Sequence, residues 1–141
     1  MKIGYSIYSI LINDSDVSTL VGTRVYPNVA KQSSDWPFIV YTTNSVDPTD
    51  TKDGVSPMDT NIVEILCFSD TYSQAVDLAQ KVRIALDRKT PGTYPNTIWG
   101  NKVQSIKFNS VDEDFEIDGK GMGVYVQTLS FDVRQVNPTN L

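Results

Sequence analysis

Residues 70–89, DTYSQAVDLAQKVRIALDRK, decide how the rest of the chain is read. Tyr72, Val76, Ala79, Val82, Arg83 and Leu86 recur at spacings of three and four, which predicts a helix with one face turned to a core. Thr71 and Gln74 fit a capping box at its start. At its end Arg88 and Lys89 suit the negative pole of the helix dipole, and Pro91 with Gly92 stops it. A helix of this kind needs a surface to cover, and the flanking runs have strand character. Upstream, residues 37–46 (PFIVYTTNSV) and 58–68 (MDTNIVEILCF) are rich in β-branched and aromatic residues. Downstream, residues 102–110 and 122–136 read as two more strands; in the second, Tyr125, Leu129, Phe131 and Val133 share a face that Gln127 interrupts.

Further out, residues 23–27 (TRVYP) predict a short strand that Pro27 ends or confines to an edge. Residues 3–12 place Ile3, Ile7, Ile10 and Leu11 on one helical face. Tyr5, Ser6, Tyr8 and Ser9 interrupt that stretch, so it reads as a docked helix and not a secretion signal or membrane span. Asp16 is the expected N-cap of a second short helix closed by Gly22. The predicted fold class is α+β: a single domain over residues 1–141, with a largely antiparallel sheet of about four to five strands. The long helix and the N-terminal helices pack on one face, and two hairpins joined by one crossover satisfy the short-connection rules.

Composition narrows the function. The chain has 141 residues, 40% of them hydrophobic, enough for a real core without covalent staples. Twelve basic against 17 acidic residues give a net charge of −5, which argues against a protein that grips nucleic acid by neutralising phosphates. The one cysteine, Cys67, lies in an apolar run and reads as a small core residue. There is no histidine, which removes Ser-His-Asp and Cys-His catalysis and histidine-ligated zinc. Carboxylate-only chemistry remains formally open. Asp47, Asp50 and Asp53 stand three apart in a loop, where nothing sets an acid opposite a base.

The run 112–118 (DEDFEID) followed by Gly119 invites a calcium reading, because Asp114, Glu116, Asp118 and Gly119 fall at positions one, three, five and six of an EF-hand loop. Position twelve is Tyr125, where a bidentate glutamate is needed, so the run is read as a solvated turn between strands. The glycines of residues 119–123 match no phosphate-binding pattern and read as a hairpin hinge. Trp36 and Trp99 read as partial core. No catalytic, metal-binding or cofactor-binding residues are assigned, and no cofactor. The candidate partner interface is the polar loop of residues 47–57 (DPTDTKDGVSP), with Asp47, Asp50, Lys52 and Asp53, together with Asp112, Asp114 and Glu116 of the acidic run.

Three stretches carry a family resemblance: Ile7-Tyr8-Ser9-Ile10-Leu11, then Val21-Gly22-Thr23-Arg24-Val25-Tyr26-Pro27, then Trp36-Pro37-Phe38-Ile39-Val40-Tyr41. With the helix AVDLAQKVRIAL (residues 75–86), they resemble the tail-completion proteins of long-tailed bacteriophages. The resemblance implies a virion structural protein without catalytic residues, a tail terminator that joins the tail tube to the head connector. It implies self-association into a ring, commonly a hexamer, through which DNA can pass without being specifically bound, and no membrane partner. The alternatives are a head-completion or other neck protein, or, from a different class, a carboxylate-dependent enzyme or calcium-binding module.

Overall fold

Period-two burial builds the sheet. The computed structural model describes residues 3–30, 35–48, 58–88, 103–117 and 119–136. Ile39 and Tyr41, then Val63, Ile65 and Cys67, then Leu129, Phe131 and Val133 alternate along three neighbouring strands, so all face one side and form the core. The strands are β1 (Val25–Pro27), β2 (Phe38–Pro48), β3 (Met58–Ser69), β4 (Val103–Ile117) and β5 (Gly123–Val136). Their order in the sheet is β1-β2-β3-β5-β4, with β1 parallel to β2 and every other pair antiparallel. This is the α+β architecture expected, with five strands.

The helices α1 (Ile3–Asn13), α2 (Ser15–Val21) and α3 (Tyr72–Leu86) supply the rest of that core through Ile7, Ile10, Leu11, Val17, Val21, Leu78, Val82 and Leu86. Cys67 is fully buried, as its apolar setting predicted. On the opposite face Trp36 stacks on Phe38 at 5.0 Å and Phe38 on Phe68 at 4.9 Å, so Trp36 is partly buried within an aromatic row. Trp99, and the expected helix stop at Pro91 and Gly92, lie outside the described residues.

Three local expectations are corrected. The N-cap of α2 is Asp14, not Asp16: its Oδ1 accepts from the backbone N–H groups of Asp16 and Val17 at 3.0 and 3.1 Å. Asp14 has extended backbone, the conformation a cap needs, whereas Asp16 is already in the first turn. Gly22 closes α2 at φ 59°, as expected. At α3 the cap position is Thr71, but its side chain makes no capping bond. Ser69 instead braces the start of the helix, its hydroxyl accepting from the Thr71 N–H at 3.2 Å and donating to Gln74 Oε1 at 2.8 Å.

The third correction concerns the buried face of α3, which is Ala75, Leu78, Ala79, Val82, Ala85 and Leu86. Tyr72 and Val76 are exposed, and Arg83 sits over the Phe108 ring, 4.0 Å from its centroid. The small alanines let the helix approach the sheet closely, and the stripe that includes Tyr72, Val76 and Arg83 looks sideways toward β4.

Candidate assembly surface

Strand β4 behaves as two different objects along its length. Val103 and Ile106 are buried in the core, and Phe108 packs edge-on against Phe131 at 5.7 Å. The turn after α3 covers the outer edge of this half. Asp87 Oδ1 accepts the Phe108 N–H at 2.9 Å, and the Arg88 N–H donates to the Ile106 carbonyl at 2.8 Å. A register shift follows between Phe108 and Ser110. Beyond it every residue from 109 to 117 is exposed.

The acidic run belongs to this second half, and the expectation of a turn there is overturned. β4 continues to Ile117, paired residue by residue with β5 from Ser110↔Ser130 to Ile117↔Gly123. Carboxylate side chains disfavour strands, which is why local propensity pointed to a turn. The ladder to Val124, Val126 and Thr128 overrides them. In an extended strand, residues two apart stand about 6.6 Å apart along the chain, so Asp114 and Glu116 do not converge as ligands of a calcium loop do. Among the described residues no three His, Cys, Asp or Glu side chains gather at one point.

Of the candidate interface residues, the strand brings Asp112, Asp114 and Glu116 together as a row on the face away from the helices, opposite Thr128, Val126 and Val124. Asp47 lies in β2 opposite Thr60, outside the polar loop expected for it, because β2 extends through Pro48. Asp50, Lys52 and Asp53 lie outside the described residues.

The helix-facing side of the same half-strand carries residues that sequence reasoning passed over. Val111, Phe115 and Ile117 are 46%, 51% and 69% exposed, and Tyr72 and Met122 are also exposed. Phe115 and Tyr72 both pack against the Tyr125 ring, at 5.0 and 5.7 Å. Gly123 makes room for Phe115, since a Cβ there would stand 2.6 Å from its Cζ. Between this patch and α3 runs a groove of about 330 Å³ lined by Val76, Ala79, Arg83, Phe108, Val111, Glu113, Gln127 and Leu129. The Tyr72 hydroxyl hydrogen-bonds the Glu113 carboxylate. That bond, with a second from Gln127, holds Glu113 below the usual carboxylate range and raises Tyr72.

A second recess of about 240 Å³ lies at the other edge of the sheet, between Pro27, Asn28, Tyr41 and Thr43. Here β1 ends, Asn28 takes φ 61°, and its N–H donates to the Tyr41 carbonyl at 2.9 Å. Burial raises the Tyr41 hydroxyl pKa, and Tyr8 and Tyr5 add to the rise. The Cys67 thiol is also raised, by burial alone, which removes its nucleophilic form at neutral pH. The first recess flanks β4 and the second flanks β1, the two edge strands of the sheet.

Comparison with known proteins gives the surface a context. A family model described as tail completion protein gp17 matches residues 6–135. No curated protein sequence matches the chain. Among solved structures, a chain from the virion of a native gene transfer agent particle has the same fold at a TM-score of 0.66 and 19% identity, over 94% of this chain and 93% of that one.

Proposed function

We propose, for a chain that belongs to the tail completion protein gp17 family, that it is the subunit of a closed ring terminating the tail tube and joining it to the head connector. The protein is a structural component of the phage tail and of the virion, and no helix among the described residues is long and apolar enough to cross a membrane. The family match over residues 6–135 carries the reading. Its role is structural and not catalytic, and a hexamer is the ring size this reading adopts.

The contact surfaces are the end of β2 with Asp47 and the segment after it with Asp50, Lys52 and Asp53, together with the strand that carries Asp112, Asp114 and Glu116. A ring requires head-to-tail contacts between unlike patches, and polar loops on a rigid sheet supply suitable material. The net charge of −5 keeps the ring wall from holding DNA that passes through it. Labelled imaging of particles tests the placement. Label at the head-proximal end of the tail is expected, whereas label confined to the head side favours a head-completion protein. Replacing residues 49–55 with a short Gly-Ser linker should leave the monomer folded and impair assembly; full complementation of a phage lacking the gene would remove the loop from the interface.

A further inference from the structure

The backbone of β4 leaves hydrogen-bonding groups on its outer edge. In an antiparallel ladder, alternate residues turn both N–H and C=O away from the partner strand. The Phe115 N–H donates to Asp114 Oδ1 at 2.8 Å, so Phe115 is one of the residues turned away from β5. Alternation then sets Val111, Glu113 and Ile117 outward with it. Their side chains are the ones on the helix-facing side. The Asp87–Arg88 turn covers this edge only as far as Phe108. From residue 111 to 117 no strand or turn among the described residues covers it, and Asp114 occupies one of its donors.

Such an edge normally invites pairing with itself. Here the acids prevent it. A two-fold antiparallel pairing of β4 with β4 that keeps like faces together and is centred on Glu113 sets Glu113 opposite Glu113 and Asp112 opposite Asp114, and like charges directly opposite are destabilising. The opposite edge of the sheet is different. β1 pairs with β2 only from Ile39 to Tyr41, and the rest of β2 continues to Pro48 with its outer edge uncovered by β1. Because the Tyr41 carbonyl points to the outer side, Thr43 does also. Residues 43–48 of β2 number six and residues 111–117 of β4 seven, spans of about 20 and 23 Å. Of residues 43–48 only Asp47 is charged, so the acidic strand meets an edge with a single carboxylate instead of a second acidic row.

We propose that residues 111–117 of β4 in one copy add to the sheet of a second copy along the outer edge of its β2, starting at the recess beside Thr43 where β1 ends. The arrangement rests on the ring reading and supplies its repeating contact: two unlike edges, joined head to tail, with the sheet continuous across subunits. It also sets Val111, Phe115 and Ile117 on the helix-facing side of the neighbour's sheet, with the end of the row nearest the recess beside Tyr41. Asp114 gives up the Phe115 N–H when the strand docks.

Native mass spectrometry of the full chain tests this with two edge-blocking variants. Val111→Pro removes an outward N–H from β4 while leaving its ladder to β5, and Thr43→Pro does the same on β2. Each alone should lose the wild-type ring and run as a monomer. Mixed, they should form a one-to-one dimer and nothing larger, since each retains one intact edge. Rings unchanged in both variants would overturn the β4–β2 contact while leaving the ring reading in place. Loss in Val111→Pro with rings retained in Thr43→Pro would also overturn it. No closed assembly of the wild type would sink the ring reading itself. Cooperative thermal transitions check that the variants fold. If a proline variant does not, hydrogen exchange on the wild type decides. The amides of Val111, Glu113, Ile117 and Thr43 should slow together by roughly tenfold or more on assembly, and unchanged exchange at all four overturns the contact.

Discussion

The two halves of β4 are paired to the same strand in the same sheet and yet belong to different environments. Residues 103–108 lie under or beside α3, with Val103 and Ile106 at 0% and 1% exposure and an outer edge closed by Asp87 and Arg88. Residues 109–117 have the same partner strand, but every one is exposed. The difference is not strand pairing, which is continuous apart from register shifts between Val103 and Ser105 and between Phe108 and Ser110. It is the second layer: α3 is seated over β3 and β5 and turns only its side toward β4. Burial of apolar area stabilises the first half, and hydrogen bonds with cross-strand pairs hold the second, an arrangement that leaves it available to a partner.

The largest expected effects test the covered half. Phe131, which packs against Phe108 of that half, and Leu86 of α3 are fully buried. Phe131→Ala should cost about 3 to 5 kcal/mol and Leu86→Ala about 2 to 5 kcal/mol in denaturant unfolding. Val111→Ala and Ile117→Ala in the isolated monomer should stay within about 0.5 kcal/mol of wild type. Equal losses in both sets would erase the distinction between the halves.

The closed edge should show an intermediate effect. Asp87→Ala removes the acceptor of the Phe108 N–H and should cost about 1 to 3 kcal/mol. Amide exchange at Phe108 should rise toward that of the outward amides at Val111 and Glu113. If Phe108 stays protected, the turn is not what closes that edge.

A smaller response is expected at Gly123. The Cβ of Gly123→Ala would displace the exposed Phe115 ring from Tyr125. Loss of the Phe115 to Tyr125 ring contacts in NMR spectra, with a midpoint shift smaller than that of Leu86→Ala, would show that the second half of β4 carries little of the fold's stability.

The smallest effect is electrostatic. The folded pKa of Glu113 is depressed chiefly by the Tyr72 hydrogen bond, with Gln127 next, so the interaction is present above the ordinary value of 4.5 and is lost as pH falls through the folded pKa. The Tyr72 pKa is raised from 10.0 by Glu113, so at the alkaline end the same interaction is full below 10.0 and disappears as pH climbs through the raised value. In Tyr72→Phe the Glu113 carboxyl should titrate closer to 4.5 by NMR. An unmoved titration would place the cause of the depression elsewhere.

The sequence by itself determined what depends on neighbours within a few residues: the order of helices and strands, the place of α3 in the chain, the stop at Gly22, and the burial of Cys67 and of Leu129, Phe131 and Val133. Those features follow from side-chain periodicity and turn chemistry, which are local. The alternation of Val111, Glu113, Phe115 and Ile117 with Asp112, Asp114 and Glu116 is a period-two strand signal too, but the charge density outweighed it. Only the tertiary structure decided that β5 enters between β3 and β4, that β4 runs through the acids to Ile117, and that Val76 and Arg83 line a groove beside the packed face of α3. Strand order and register are settled by contacts between residues far apart in the chain. A long ladder with a half-buried partner such as β5 can hold in a strand a segment whose own residues would make a turn.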